Sequence, residues 1–342
     1  MRVLVTGHQG YLGTVMVPFL QQAGHDVTGL DIGYFAECVL GEAPPAPPAI
    51  QADLREVTVD QLAGFDAVVH LAALSNDPLG ALAPEITYEI NHHASVRLAR
   101  RAKAAGVRRF LYASTCSVYG AAGNGLVTED APLRPLTPYA ESKVRVEDDV
   151  AALADSGFSP VFLRNATAFG FSPRLRADIV LNNLVGYAVL TGEVKVLSDG
   201  TPWRPLVHAQ DIALAFATCL EAPLEAVHCR AYNVGTEANN LTVAQIAQAV
   251  VDVVPESTLA ITGESGADPR SYRVDFGYAR KELGFEARWS IPDGAAELYR
   301  EYTERGLTSE AFFQRFTRLA HLTSLRDAGV LDGELRRIRT GV

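Results

Sequence analysis

The sequence predicts an α/β fold, a doubly wound parallel sheet joined to a smaller α/β lobe. Short apolar runs recur at Arg2–Thr6, Asp26–Leu30, Phe65–Leu71, Phe110–Ala113 and Pro160–Asn165. Runs of this length and composition read as parallel strands buried on both faces. Helical apolar spacing separates several of them, as at Ile90–Ala105, which Gly106 closes, and strand–helix alternation is the mark of βαβ units. Past Gly170 the alternation weakens, so a second lobe is expected to start near Phe171. The expected division gives residues 1–170 and 205–235 to the sheet and residues 171–204 and 236–342 to the smaller lobe.

The totals fit this plan. At 342 residues the chain is long enough for two medium lobes with buried cores. A hydrophobic share of 48% and a charged share of 20% are those of an ordinary globular protein. The net charge of −10 argues against a nucleic-acid or anionic-membrane surface, which needs a basic stripe. Cys38, Cys116, Cys219 and Cys229 form no C-x-x-C pair and no metal-ligand spacing, so no metal is expected and the thiols read as reduced. With no signal-peptide pattern and no apolar run of the ~18–20 residues a membrane helix needs, the expectation is a cytoplasmic protein.

The first strand runs straight into Gly7-His8-Gln9-Gly10-Tyr11-Leu12-Gly13, and a helix is expected through Leu20, ending near Gly24. Glycines at a strand-to-helix turn let backbone approach a diphosphate, to which the new helix offers free N–H groups and a positive dipole end. Asp31 closes the second strand, where a carboxylate accepts from ribose hydroxyls and repels a 2′-phosphate. This order points to a dinucleotide site that favours NAD over NADP. Thr137 and Pro138 read as the cap and first residue of a helix carrying Tyr139 and Lys143 one turn apart on one face. An ammonium there, with the positive helix end, favours phenolate and makes the phenol a usable base near neutrality.

The spacing G-x-x-G-x-x-G, the segment Ala113-Ser114-Thr115-Cys116-Ser117-Val118-Tyr119-Gly120 and the pair Tyr139/Lys143 together resemble the extended short-chain dehydrogenase/reductase superfamily. Within it the chain is similar to the NAD-dependent nucleotide-sugar epimerase/dehydratase family of the UDP-glucose 4-epimerase type. The resemblance spans residues 1 to about 300 and implies a Rossmann-type sheet, bound NAD and a nucleotide-diphosphate sugar as substrate. It assigns Gly7, Gly10, Tyr11, Leu12, Gly13, Asp31, Leu71, Ala72, Ala73, Ser114, Tyr139, Lys143 and Asn165 to the cofactor. Asp53 with Leu54 matches the family's adenine-side acid, while Asp53 reads equally as a helix N-cap. His70 is either a satisfied core residue or a ligand. Ser75 and Asn76 stand near the sugar or form a capped turn with Asp77-Pro78.

Further along, Ser198–Asp211 resembles the family's G-D-G…R-x-x-x-H segment, and Arg204 falls on the arginine that holds the substrate diphosphate. A guanidinium suits that task because it donates in a planar fork and stays charged. Arg270 and Arg273 match the family's late arginine, one or both of them closing on the diphosphate. Arg174, Arg176, Asn182 and Asn183 suit a diphosphate or an ordinary lobe surface alike. Val207–Leu220 is expected to return to the first lobe as a helix opened by Asp211, Ala231–Val234 as a strand, and Thr242–Val254 as a helix capped by Thr242. The tail from Leu307 has charged-apolar helical spacing, expected to pack on the second lobe or a second subunit. By resemblance, Ile90–Ala105 and the Tyr139 helix face a partner subunit in a homodimer.

The family's reactions share a Tyr base and a Ser/Thr hydroxyl, here Tyr139 and Thr115, with Lys143 beside them. Its 4,6-dehydratases follow that Thr with an acid and a base, in the pattern T-D-E-V-Y-G. Here Cys116 and Ser117 take those places; a thiol with a reference pKa of about 8.5 and a serine that does not titrate are poor substitutes, so water elimination is disfavoured. The resemblance implies a 4-epimerase, with a 4-ketoreductase next, and then a dehydratase or a 3,5-epimerase in which Cys116 moves a proton. A cofactor-sensing binding protein is the non-catalytic alternative, which the intact Thr/Tyr/Lys set argues against.

Overall fold

A computed structural model describes residues 1–75, 83–121, 125–264 and 271–338. In chain order its strands are β1 (Arg2–Thr6), β2 (Asp26–Asp31), β3 (Ala49–Gln51), β4 (Ala67–His70), β5 (Arg109–Thr115), β6 (Leu126–Val127), β7 (Ser159–Asn165), β8 (Thr167–Phe169), β9 (Glu193–Val196), β10 (Trp203–His208), β11 (Arg230–Val234), β12 (Asn240–Thr242), β13 (Thr258–Ile261) and β14 (Arg273–Val274). The longer helices are α1 (Tyr11–Gln22), α2 (Ala94–Ala104), α3 (Pro138–Ala151), α4 (Val180–Thr191), α5 (Ala209–Glu221), α6 (Val243–Val253), α7 (Ile291–Glu304) and α8 (Arg318–Asp327).

Seven strands form one sheet in the order β11-β7-β5-β4-β1-β2-β3, parallel at every pairing. Apolar residues alternate between its two faces because successive strand side chains point opposite ways. Val3, Val5, Leu111 and Leu163 enter the core that also holds Met16 and Phe216, whereas Leu4, Phe110 and Phe162 enter the core on the other face with Leu98 and Val146. Helices therefore cover both faces, as the sequence predicts, and α5 returns to pack on α1. The chain winds outward from β1 through β2 to β3, then from β4 to β11 in the opposite direction. The reversal lies between β1 and β4, and ligands of such sheets collect beyond the carboxyl ends of the strands at that point.

The second lobe has its own core, where α4, α6 and α7 pack around Leu181, Val185, Ile246 and Leu298. Small sheets tie it together: β12-β10-β8 and β13-β9, while β14 pairs with β6. The start of the tail joins this core through Leu307, Phe312 and Phe316, whereas Leu322, Leu331 and Leu335 bury with Tyr34, Leu74 and Ile90 of the first lobe, away from the lobe expected to hold them. Side-chain donors bonded to backbone carbonyls hold this placement. Arg337 donates to the Ile32 and Gly33 carbonyls at 2.9 Å each, Arg55 donates to the Glu334 carbonyl at 2.8 Å, and the Tyr34 hydroxyl donates to the Leu335 carbonyl.

Candidate active site

A cavity of about 820 Å³ opens at the β1/β4 reversal and runs on between the lobes. Its floor is the β1–α1 turn. Gly7 has a φ of +75°, and a Cβ there would meet the Ala72 nitrogen at 2.8 Å; at Gly13 a Cβ would meet the Gly7 carbonyl at 2.2 Å. Both positions therefore require glycine, one for the turn itself and one so that α1 can start against it. Gly7, Gly10, Tyr11, Leu12, Gly13, Leu71, Ala72 and Ala73 all line the cavity, as expected of a floor on which backbone meets a diphosphate.

Asp31 lies at the β2 end with its carboxylate already oriented, accepting from the Gln9 N–H at 2.9 Å and the Gly33 N–H at 2.8 Å. Asp53 lines the cavity and is also the N-cap the sequence allowed. Its carboxylate accepts from the Arg55 N–H at 2.9 Å and from the Arg55 guanidinium at 2.6 Å. Burial raises the Asp53 pKa, but the Arg55 hydrogen bonds and charge outweigh it and hold the carboxyl below the usual range. Leu54 lines the cavity beside it. His70 is a satisfied core residue: its ring nitrogens bond Thr6 Oγ1 at 2.6 Å and Ser95 Oγ at 2.8 Å, and burial, then Lys143, lowers its pKa to about 3.

The chemical residues gather at the carboxyl ends of β5 and β7, where Thr115 stands opposite Asn165. Thr115, Ser117, Tyr139, Lys143 and Asn165 line the cavity together. Thr137 caps α3 by accepting from the Ala140 N–H at 3.2 Å, which fixes Tyr139 in the first turn. Lys143 Nζ donates to the Ala113 carbonyl at 2.7 Å and stands 5.7 Å from the Tyr139 ring centroid. Burial lowers its pKa to about 7 against the pull of Glu147 one turn further on. Glu147 in turn accepts from the Ser114 hydroxyl and from Arg164, at 2.7 Å from Nη2, so Ser114 meets the cavity while its hydroxyl turns inward. Asn165 donates to the Ser114 and Leu163 carbonyls at 3.2 Å each, and its Oδ1 is buried with no hydrogen-bond partner.

Several residues marked for the substrate lie elsewhere. Cys116 is fully buried in the sheet core, its thiol donating to the Arg164 carbonyl at 3.0 Å, with burial raising its pKa well above the thiol norm. Cys116 opens the short helical turn that follows β5, and there its side chain packs in the core with Leu111 and Ala113. Asn182 is buried too, its amide bonded to Gly170 and to the Arg176 carbonyl. Its neighbour Asn183 lines the cavity, as does Arg176, whereas Arg174 reaches back to Thr14 of α1 at 3.2 Å. Ser75 lines the cavity and accepts from Arg176 Nη1 at 2.9 Å. Arg204 lines the cavity, as does Tyr272, whose hydroxyl is 3.5 Å from Ser117 Oγ. Arg273 lies over the Trp203 ring at 4.9 Å and does not line the cavity. Asn76 and Arg270 fall outside the described residues. Tyr34, Phe35, Asp178 and Arg318 are cavity residues the sequence reading did not mark. For Asp178 the R-x-R-x-D spacing was a signal; for Arg318 there was none.

Residues 3–235 match the family model described as "NAD dependent epimerase/dehydratase family". The chain belongs to that family. Its cofactor is accordingly NAD. Among curated relatives, a UDP-glucose 4-epimerase of Mycolicibacterium smegmatis is 30% identical over 320 residues, covering 87% of this chain and 97% of the relative. Among solved structures, MoeE5 in complex with UDP-glucuronic acid and NAD is 30% identical with a TM-score of 0.77, covering 90% of this chain and all of that one. DesIV, a dTDP-glucose 4,6-dehydratase from Streptomyces venezuelae with NAD bound, is 26% identical with a TM-score of 0.78, over 91% of this chain and 100% of that one. Epimerase and dehydratase alike are thus similar to this enzyme, so the choice between reactions rests on the site. None of the helices among the described residues is long and apolar enough to cross a membrane, and no cluster there could hold a metal.

Proposed function

We propose that this enzyme is a 4-epimerase of a nucleotide-diphosphate sugar. The observation that carries the reading is the burial of Cys116. It follows Thr115, where a dehydratase needs an acid, yet it is fully buried, does not line the cavity and spends its thiol on the Arg164 carbonyl. That leaves Tyr139, Thr115 and Lys143 as the reacting set, with Ser117 beside them. Proton transfer at one carbon needs no more.

NAD, when bound, supplies the hydride acceptor and donor. Tyr139 takes the proton of the C4 hydroxyl as the C4 hydride leaves, and returns it after the keto sugar has turned its other face. Thr115 hydrogen-bonds the same oxygen and holds it toward Tyr139. Lys143 favours the phenolate and binds the nicotinamide ribose. Arg204 anchors the substrate diphosphate at the far end, so that the sugar alone turns. Ser75 and Ser117 offer hydroxyls to it. We further propose a homodimer through α2 and α3, which a sedimentation measurement tests directly.

UDP, dTDP, GDP, CDP and ADP sugars supplied to the purified protein without added cofactor test the reading. One of them is converted to its 4-epimer with no net change in NADH absorbance. Consumption of one NADH per 4-keto sugar would instead identify a ketoreductase, and release of water a dehydratase.

A further inference from the structure

Arg318 opens α8, at the far end of the chain from the glycine turn, yet it lines the same cavity. The residue is 4% exposed. Its guanidinium carbon stands 3.9 Å above the centroid of the Phe35 ring, and Nη2 lies 3.5 Å from the Arg174 carbonyl. Nη1 is buried with no hydrogen-bond partner. A buried guanidinium N–H without an acceptor is costly, and an anion is the group that removes the cost. Burial, then the charge of Arg176, lowers its pKa to about 10, which still leaves it charged at neutral pH.

The topology says where that anion sits. Phe35 follows β2, and Arg176 is held by Ser75, which follows β4; in the sheet β4 and β2 flank β1. The charges of Arg318 and Arg176 both act on the Tyr11 hydroxyl in the first turn of α1, and Arg176 is already paired with Asp178 at 3.0 Å. Arg318 Nη1 has no such acceptor, so an anion held at the glycine turn beside it would satisfy it.

We propose that Arg318 is a cofactor-binding residue that donates to the diphosphate of NAD, making the C-terminal segment part of the cofactor site. The rest of the segment holds the arginine in place, with His321 donating to the Tyr34 carbonyl at 2.9 Å and Arg337 to the Ile32 and Gly33 carbonyls. This inference stands whichever nucleotide sugar the enzyme turns over.

Two variants test it without measuring turnover. Arg318→Met keeps a long stem against Phe35 but removes every donor; Arg318→Lys restores a charge without the fork. The rate at which labelled NAD exchanges into purified holoenzyme is followed, with calorimetric binding of UDP and of adenosine as controls. Arg318→Met is expected to exchange NAD at least about tenfold faster, with Arg318→Lys between it and the parent. Adenosine and UDP affinities stay within about twofold. Unchanged NAD exchange with weakened UDP binding would overturn the proposal by assigning the arginine to the substrate diphosphate. Equal loss of adenosine and NAD would also overturn it, because a packing role alone has that effect.

Discussion

Lys143 holds its ammonium nitrogen 5.7 Å from the centroid of the Tyr139 ring while donating to the Ala113 carbonyl at 2.7 Å, so one strand carbonyl fixes the cation that faces the phenol. Tyr139→Phe removes the proton-transferring oxygen and leaves the ring. Turnover is expected to fall by about 10²–10⁴-fold, the usual worth of a positioned acid or base, with nucleotide-sugar affinity nearly unchanged. Steady-state rates beside calorimetric binding check both halves.

Burial of Lys143 also makes stability depend on pH. Its pKa is about 7 in the folded protein and near the ordinary lysine value in the unfolded chain. Between the two the unfolded state binds the extra proton, so stability rises with pH, by at most about 1.4 kcal/mol per unit. Cofactor-free protein unfolded in denaturant from pH 7 to 9 is expected to show this rise, and Lys143→Met to lack it.

Glu147 and Arg164 form a buried ion pair, 5% and 7% exposed, with Nη2 and Oε2 2.7 Å apart. Truncating one partner leaves the other charge buried, a loss of about 3–5 kcal/mol. Glu147→Ala is expected to lower the urea midpoint accordingly. A loss below about 1 kcal/mol would show that water replaces the carboxylate.

Asp31 presents a carboxylate held by two backbone N–H groups, a charge expected to disfavour a 2′-phosphate. Asp31→Asn is expected to narrow the preference for NAD over NADP by about tenfold, about 1.4 kcal/mol. Competition between the two dinucleotides for the stripped protein measures it, and an unaltered ratio would remove Asp31 from the specificity account.

Cys116 separates the epimerase reading from its alternatives. Cys116→Ala is expected to cost on the order of 1–2 kcal/mol of stability and to leave the turnover number within about threefold. A large loss of turnover with the fold intact would make the thiol a participant.

The sheet was legible in the sequence because its strands are apolar on both faces and its glycine turn obeys local backbone sterics, as Gly7 and Gly13 illustrate. That Thr115, Tyr139 and Lys143 meet at one cavity was legible for the same reason, since they lie within two short segments. Residue-by-residue placement in the loop after Gly170 was not. There Arg174 and Asn182 turn inward while Arg176 and Asn183 face the cavity, a choice made by tertiary hydrogen bonds that no periodicity encodes. Arg318 was beyond reach altogether, since its contacts with Phe35 and the Arg174 carbonyl join segments with no local pattern in common.

Deuterium at C4 of the nucleotide sugar tests the central claim most directly. If the enzyme inverts C4 by removing and returning one hydride, the label is retained at C4 in both epimers with no cofactor added. Its loss to solvent or to dissociated NADH, or a product inverted at another carbon, would contradict the account.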